Sequence, residues 1–548
     1  MRQKKRGVRA HAKVDCSQIE AIAHSSDETL QAARGHSYAH TRFKHQKRHW
    51  CAAWAAILSV VFVLVAVTSA YTVWGKTDTS AGGEVSIGLQ LAPTNLDIRH
   101  TSGTALDQLL IGNVYEALLT RKSNNTVAPG IAQSWEVSAD RKTYTFHISR
   151  GLTFSNGDVL DARDVAWSIS SMMSGKLQGS SLMTNYRSVA AVDSHTVVLT
   201  LSAPFSELLW NLSGRPGLVF DKDAHYDAKT SAVGSGPFVL TSYQPSVSVV
   251  LSARGGYKGT HTPLTKTIKI TYYADPQAGL NALTSGDVQV LAPINSNLTA
   301  AIKNDSRFTY QAGEGTDKYV LAFNNAHGPL TDKRIRQAIR YAIDHKAIIA
   351  SRGGTDTALG GPIPSLDPGY EDLTSLYPTD VARALKLMKE AGYDTSHPLK
   401  LRLTYANTYP AEIGQQLRSQ LARIGIDLSV NRTEFATWLS QVYTNRDYDI
   451  SLVDHNESHD FLQWANPKYY YGYDNKQVQK LYAQAMQADS DSQSDSLLKQ
   501  AAHIVSEDAA ADWLLNFRVV TAWDKRVTSF PLNLNQTWMP LWEVKINA

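Results

Sequence analysis

Hydrophobic and polar positions alternate along most of this chain in two periods. Thr143–Ile148 alternates residue by residue and predicts a strand, as does 195–201. Leu399, Leu401 and Leu403 alternate with Lys400, Arg402 and Thr404, a third strand, and 426–430 and 449–453 read as two more. Between them the period lengthens to that of a helix. Asp161 caps one carrying Val165, Ile169 and Met172 on one face. Thr331 or Asp332 caps a helix running through Ile349, with Ile335, Ile339, Ala342 and Ile343 inward. Thr379 caps another with Val381, Leu385 and Met388, ended by Gly392. Pro410 starts a helix closed by Gly425, and 435–443 forms a further one. Strands alternating with helices through short turns predict layered α/β units.

One stretch fits neither period. From Cys51 to Trp74 the chain is uncharged and rich in Ala, Val, Leu and Ile. At ~1.5 Å per residue it is long enough to cross a hydrocarbon core of ~30 Å. Arg42, Lys44, Lys47 and Arg48 precede it, which favours keeping residues 1–50 in the cytoplasm and everything after Trp74 outside. The segment is expected to be a retained anchor. Thr68-Ser69-Ala70 also offers small residues to a signal peptidase, which would release a secreted protein instead. Residues 1–50, Arg-, His- and Ser-rich with few large aliphatics, are expected to be a disordered tail.

Charge and cysteine content narrow the function classes. Of 54 Lys/Arg and 50 Asp/Glu, eleven and four fall in residues 1–50 and none in 51–70, leaving 43 basic and 46 acidic residues. The remainder is mildly acidic, so no nucleic-acid surface is expected. The two cysteines, Cys16 and Cys51, precede the folded part, which therefore builds neither a disulfide nor a thiolate metal site. No G-x-S-x-G elbow and no H-E-x-x-H motif occurs, and no enzyme activity is expected.

Several short motifs follow one another in order: Asn95-Leu96-Asp97; Asn113-Val114-Tyr115-Glu116-Ala117-Leu118; the Pro129–Ser138 stretch PGIAQSWEVS; Phe154–Asp158 with Ala162–Val165; Val233–Phe238 (VGSGPF); and Arg334–Asp344 (RIRQAIRYAID). In this order they resemble the peptide/nickel class of ABC-transporter solute-binding proteins, the dipeptide- and oligopeptide-binding family 5, from about Glu84 to the C-terminus. Most of these residues are expected to identify the fold rather than touch ligand. Trp135, Tyr144, Phe146 and Phe154 read as core or sheet-packing residues, while Gly234 and Gly236 read as permitting backbone conformations at a crossover.

The resemblance implies an α/β, type II periplasmic-binding-protein fold: two lobes joined by hinge strands, plus an extra domain (the three-domain, cluster C arrangement), preceded here by the hydrophobic helix. Carried over, lobe I comprises 84–120, 233–318 and 516–548, the extra domain 121–232, and lobe II 319–515, after a linker at 75–83. It also implies the function of an importer's extracytoplasmic binding component. Such a protein captures a small solute in the interlobe cleft and passes it to ABC permease subunits. A dipeptide or oligopeptide is the favoured ligand. The alternatives are a membrane-tethered sensor, or a binder of an oligosaccharide or metal complex. A monomer without cofactor is expected.

For the cleft, the resemblance points to Tyr448–Asn466 (YDISLVDHNESHDFLQWAN), where peptide binders place a carboxylate against the ligand's amino terminus. The usual W-x-x-D-x-x-D-P pattern is absent. Asp460 is the first choice, then Glu457 and Asp454. His455 and His459 are four apart, but they follow a strand and lack the zinc-protease pattern, so no metal is assigned. His455 and Trp464 join the candidate ligand contacts. So do Ser102 and Gly103 before the first helix of lobe I, Asn324 near the hinge, and Arg518 as a partner for a ligand carboxylate.

Overall fold

The computed structural model describes residues 82–547. The tail 1–50, the apolar segment 51–74 and most of the linker lie outside these residues. Among the described residues no helix is long and apolar enough to cross a membrane.

Three sheets of four or more strands organise the described residues. The largest has seven strands in the order Phe308–Ala312, Val520–Asp524, Val290–Ala292, Glu84–Leu89, Thr267–Tyr272, Ser248–Ala253 and Phe238–Gln244. Glu84–Leu89 lies parallel to both its neighbours, and the other pairs are antiparallel. A five-stranded mixed sheet has the order Ile426–Thr433, Leu399–Ala406, Ile450–His455, Lys318–Phe323 and Ala511–Asn516. The third is a four-stranded antiparallel sheet, Ala132–Val137, Thr143–Ile148, Thr196–Leu201 and Tyr186–Asp193.

Each sheet has its own core, for the reason its sequence suggests. Tyr144, Phe146 and Ile148 point inward from the alternating strand Thr143–Ile148, against Val165, Ile169 and Met172 of the helix Ala162–Gly175. Asp161 caps that helix in a capping box with Asp164. In the five-stranded sheet every residue of Lys318–Phe323 is buried. Tyr319, Leu321 and Phe323 enter one core cluster and Val320 and Ala322 another, because helices cover both faces. Burying Leu321 or Phe323 contributes about 2 kcal/mol each.

Four sequence expectations change. The helix from Asp332 through Ile349 is two helices, Lys333–Ala342 and His345–Ser351, because Ile343 is extended and Asp344 caps the second through the Ala347 N–H. Asp380, not Thr379, caps Val381–Glu390, while the Thr379 hydroxyl donates to the Ile343 carbonyl. Leu385 is exposed, and Ala384 with Met388 forms the buried side. Gly234 and Gly236 do not take positive φ. A Cβ at Gly234 would stand 1.9 Å from the Val114 carbonyl oxygen, and one at Gly236 2.5 Å from that of Asn113. The glycines permit close approach of two backbones, and the Gly236 and Phe238 N–H groups donate to Val114 and Asn113. This explains why the two motifs occur together.

The RIRQAIRYAID motif is likewise structural. Arg336 donates to the carbonyls of Leu330, Asp508 and Ala509, and Arg340 to those of Gly360 and Ser506.

Candidate functional site at the hinge

The chain crosses from the seven-stranded to the five-stranded sheet at 313–317 and returns at 517–519. Asn516 ties the crossings together, its Nδ2 donating to the carbonyls of Gly315 (3.1 Å) and Asp317 (2.7 Å). Beside them end the strands Lys318–Phe323 and Ile450–His455, paired with Lys318 opposite His455 and Tyr319 opposite Asp454. Alternation sends these two pairs to opposite faces of the sheet, so the site has two sides.

On one side Lys318 is fully buried. Its Nζ donates to the carbonyls of Thr316 (3.0 Å) and Glu457 (2.7 Å) and lies 3.2 Å from Asp460 Oδ2. Gln463 Nε2 donates to the same carboxylate at 2.8 Å. Burial pushes the Asp460 carboxyl up to about 6, against the pull of Lys318. His455, whose ring nitrogen meets the Tyr471 hydroxyl, is pushed down to about 3 by burial and by Lys318, and is neutral. Asp460 is therefore the counter-ion of an internal lysine. Glu457 contributes its carbonyl to that lysine while its side chain is exposed.

On the other side stands Asp454. Its N–H donates to the Tyr409 hydroxyl at 3.0 Å. Its Oδ1 is buried and finds no hydrogen-bonding partner among the described residues. Burial raises this carboxyl to about 7, opposed by Lys318 and Arg352. Tyr319 meets Tyr409 edge-on (5.8 Å), and the Arg352 guanidinium lies over Tyr319 (4.7 Å) while its Nε donates to Asp356 (2.6 Å). The Asp356 carboxylate also accepts from the Arg518 N–H (3.2 Å). Arg518 reaches Glu314 at 3.4 Å, and its buried Nε has no partner among the described residues. An unmatched carboxyl oxygen and an unmatched guanidinium N–H thus flank the crossings, polar groups that are costly to bury unpaired.

The loop 456–461 is held from outside. Asp367 accepts from the His459 N–H (2.9 Å), the Ser458 hydroxyl and Asn125 Nδ2 (3.1 Å). His459 pairs through Nδ1 with Glu207 and stacks on Trp210 at 4.1 Å, and Arg121 lies over Trp210 at 4.0 Å. Burial disfavours the His459 cation, but Glu207 outweighs it and the imidazole stands above its usual range. Asn125, Glu207 and Trp210 belong to the segment that carries the four-stranded sheet, so that unit clamps the loop. A cavity of about 20 Å³, the size of a single water, lies beneath, lined by Glu207, Asp367, His459, Asp460 and Phe461 among others.

Of the residues singled out in the sequence, Asp454, His455, Glu457, Asp460 and Arg518 come together here. Two do not. Asn324 sits at the far end of its strand, about 20 Å from Lys318 at ~3.3 Å per residue, with Nδ2 donating to the Arg446 and Tyr448 carbonyls. Trp464 is core: it is buried, stacks on Tyr471 (4.5 Å) and tilts against Trp513 (5.2 Å). Ser102 and Gly103 are half-buried at the start of the helix Thr104–Leu110, on the unit of the seven-stranded sheet. Asp317, Lys318, Arg352, Asp356, Asp367 and Tyr409 were not anticipated. The one signal was the charged pair Asp317-Lys318 directly before the apolar run YVLAF. Among the described residues no group of three or more His, Cys, Asp or Glu is placed to hold a metal ion.

Known proteins resemble this chain in sequence and in fold. The chain is 26% identical over 437 residues to the probable D,D-dipeptide-binding periplasmic protein DdpA of Escherichia coli K12, covering 75% of this chain and 83% of that protein. It is 28% identical over 424 residues to the dipeptide-binding protein of the same organism, covering 71% and 77%. The solved structure of the ABC transporter substrate-binding protein CtaP from Listeria monocytogenes shares the fold with a TM-score of 0.76 at 21% identity, over 85% of this chain and all of that one. Residues 126–477 match the family model itself, and the chain belongs to the bacterial extracellular solute-binding proteins, family 5.

Proposed function

We propose that this protein is the extracytoplasmic binding component of an ABC importer for a peptide with a free amino terminus. It holds that peptide between two lobes and delivers it, chemically unchanged, to a membrane permease. The observation that carries the reading is the buried, unpartnered Oδ1 of Asp454 at the hinge. A peptide ammonium there supplies the missing donor, and Arg518 Nε, similarly unpartnered, suits the carboxylate end. Relatives named for dipeptide and glutathione binding support a peptide ligand. Lobe I would comprise 84–120, 233–318 and 516–548, the extra domain 121–232 and lobe II 319–515, with residues 51–74 as a retained anchor.

Isothermal titration of the full-length chain with a di- and tripeptide panel tests this. Wild type should bind at least one peptide, and Asp454→Asn should weaken it at least about tenfold, some 1.4 kcal/mol, with its circular dichroism unchanged. Equal affinity in the variant removes Asp454 from the site. A peptide recovered cleaved or modified refutes a binding protein altogether.

A further inference from the structure

The strand end that faces Asp454 carries a second carboxylate. Asp317 precedes Lys318 at the crossover and is 2% exposed. Its Oδ2 finds no hydrogen-bonding partner among the described residues, as with Asp454 Oδ1. Its backbone is fixed: the carbonyl accepts from Asn516 Nδ2 and, at 3.0 Å, from the Phe517 N–H. It stands one residue before the strand Lys318–Phe323 and two before Tyr319, whose partner across the sheet is Asp454, and it is close enough to Asp454 for that charge to act on it.

The charged and titratable groups around this pair come from every neighbouring element. Lys318 and Tyr319 belong to the same strand, Tyr409 follows the strand Leu399–Ala406, and Arg352 and Asp356 follow the helix His345–Ser351. Glu457 and Asp460 lie on the next loop, and Glu314 and Arg518 on the two crossovers. The nearby cations are engaged elsewhere: Lys318 with Asp460, Arg352 with Asp356 and Arg518 with Glu314. Two neighbouring carboxylates, each with a buried, unpartnered oxygen and no cation of its own, do not both ionise.

We propose that Asp317 and Asp454 form a single two-carboxylate pocket that retains a proton when free and releases it to solvent in exchange for the ligand's primary ammonium. The inference rests on the reading above, that the peptide's amino terminus enters at Asp454. Charge balances without any covalent step. The free pocket, one acid and one carboxylate, carries −1. The occupied pocket, two carboxylates and one ammonium, also carries −1, and one proton goes to the buffer. Burial raises both carboxyls, and Asp454 adds to the shift at Asp317. Three ammonium N–H groups shared between two carboxylates also make the pocket selective for a free amino terminus over an acylated one.

The test is calorimetric titration of the full-length chain with trialanine and N-acetyl-trialanine near neutral pH, in buffers of different ionisation enthalpy. Trialanine should bind with release of about one proton per peptide, read as the slope of observed against buffer enthalpy. The acetylated form should not bind measurably. Asp317→Asn should still bind trialanine, about tenfold more weakly, with the slope reduced towards zero. Binding without proton release in wild type, or an unchanged slope in Asp317→Asn, overturns the shared pocket; the amino-terminal role of Asp454 is then judged separately by Asp454→Asn. Failure of wild type to bind trialanine sinks both. Infrared difference spectra of the unmutated protein give a second reading if Asp317→Asn misfolds. A protonated carboxyl band should vanish on adding trialanine and persist with the acetylated form, and a spectrum with no such band overturns the proposal.

Discussion

The ammonium of Lys318 lies 3.2 Å from the carboxylate of Asp460, with side-chain exposures of 1% and 12%. The pair closes the hinge end of the five-stranded sheet beneath the loop 456–461, and each group is the other's answer to burial.

Breaking it from one side should be costly. Lys318→Met leaves Asp460 with no opposite charge and is expected to lower stability by about 3–5 kcal/mol, measured by urea unfolding at neutral pH. Asp460→Ala should also destabilise the fold, unlike a residue that serves the ligand alone. A loss under about 1 kcal/mol for Lys318→Met would refute the internal pair.

The clamp between His459 and Glu207 should depend on pH in a defined direction. The folded imidazole lies above its unfolded value. Its contribution is therefore complete below an unfolded pKa of ~6.5 and is lost as pH rises through the higher folded value. Glu207→Gln should cost about 1–2 kcal/mol near pH 6 and much less near pH 8.5. Thermal unfolding of both proteins across this range checks it, and a penalty that grows with pH contradicts the sign.

The touching motifs at 113–118 and 233–238 allow no extra atom. Gly234→Ala would bring a methyl carbon to 1.9 Å from the Val114 carbonyl oxygen, so two backbone segments must separate. A loss of at least about 2 kcal/mol is expected, against little change for Gly82→Ala, where an added Cβ meets nothing and φ is not positive. Equal melting temperatures for Gly234→Ala and wild type would refute the contact.

Much of the fold was legible because its signals are local. The alternation in Thr143–Ile148 and the cap at Asp161 each report on residues within one turn or one pleat, and both recur in the structure. The break at Ile343 was not legible, since an apolar residue continues the helical stripe and Asp344 gives the only hint of a new cap. The site was legible as a segment and not as a constellation. The acids of 454–460 stand out in a row, but the lysine that neutralises Asp460 lies 142 positions earlier in the chain. Asp317 and Asp454 lie far apart in the sequence, and only the pairing of Tyr319 with Asp454 brings their chain segments side by side. Trp464 and Asn324 were misplaced because residue type does not tell which way a side chain turns, here into the core and towards the far strand end.

Asn516 gives the hinge a mechanical character. Because Asn516, at the end of the returning strand, holds the Gly315 and Asp317 carbonyls of the outgoing crossing, the two strips of backbone are tied into a single ribbon. A door hung on one broad strap swings about a line, and it resists sliding sideways along its frame. Opening and closing should accordingly follow one rotational path, with sideways slip between the halves requiring that grip to break first.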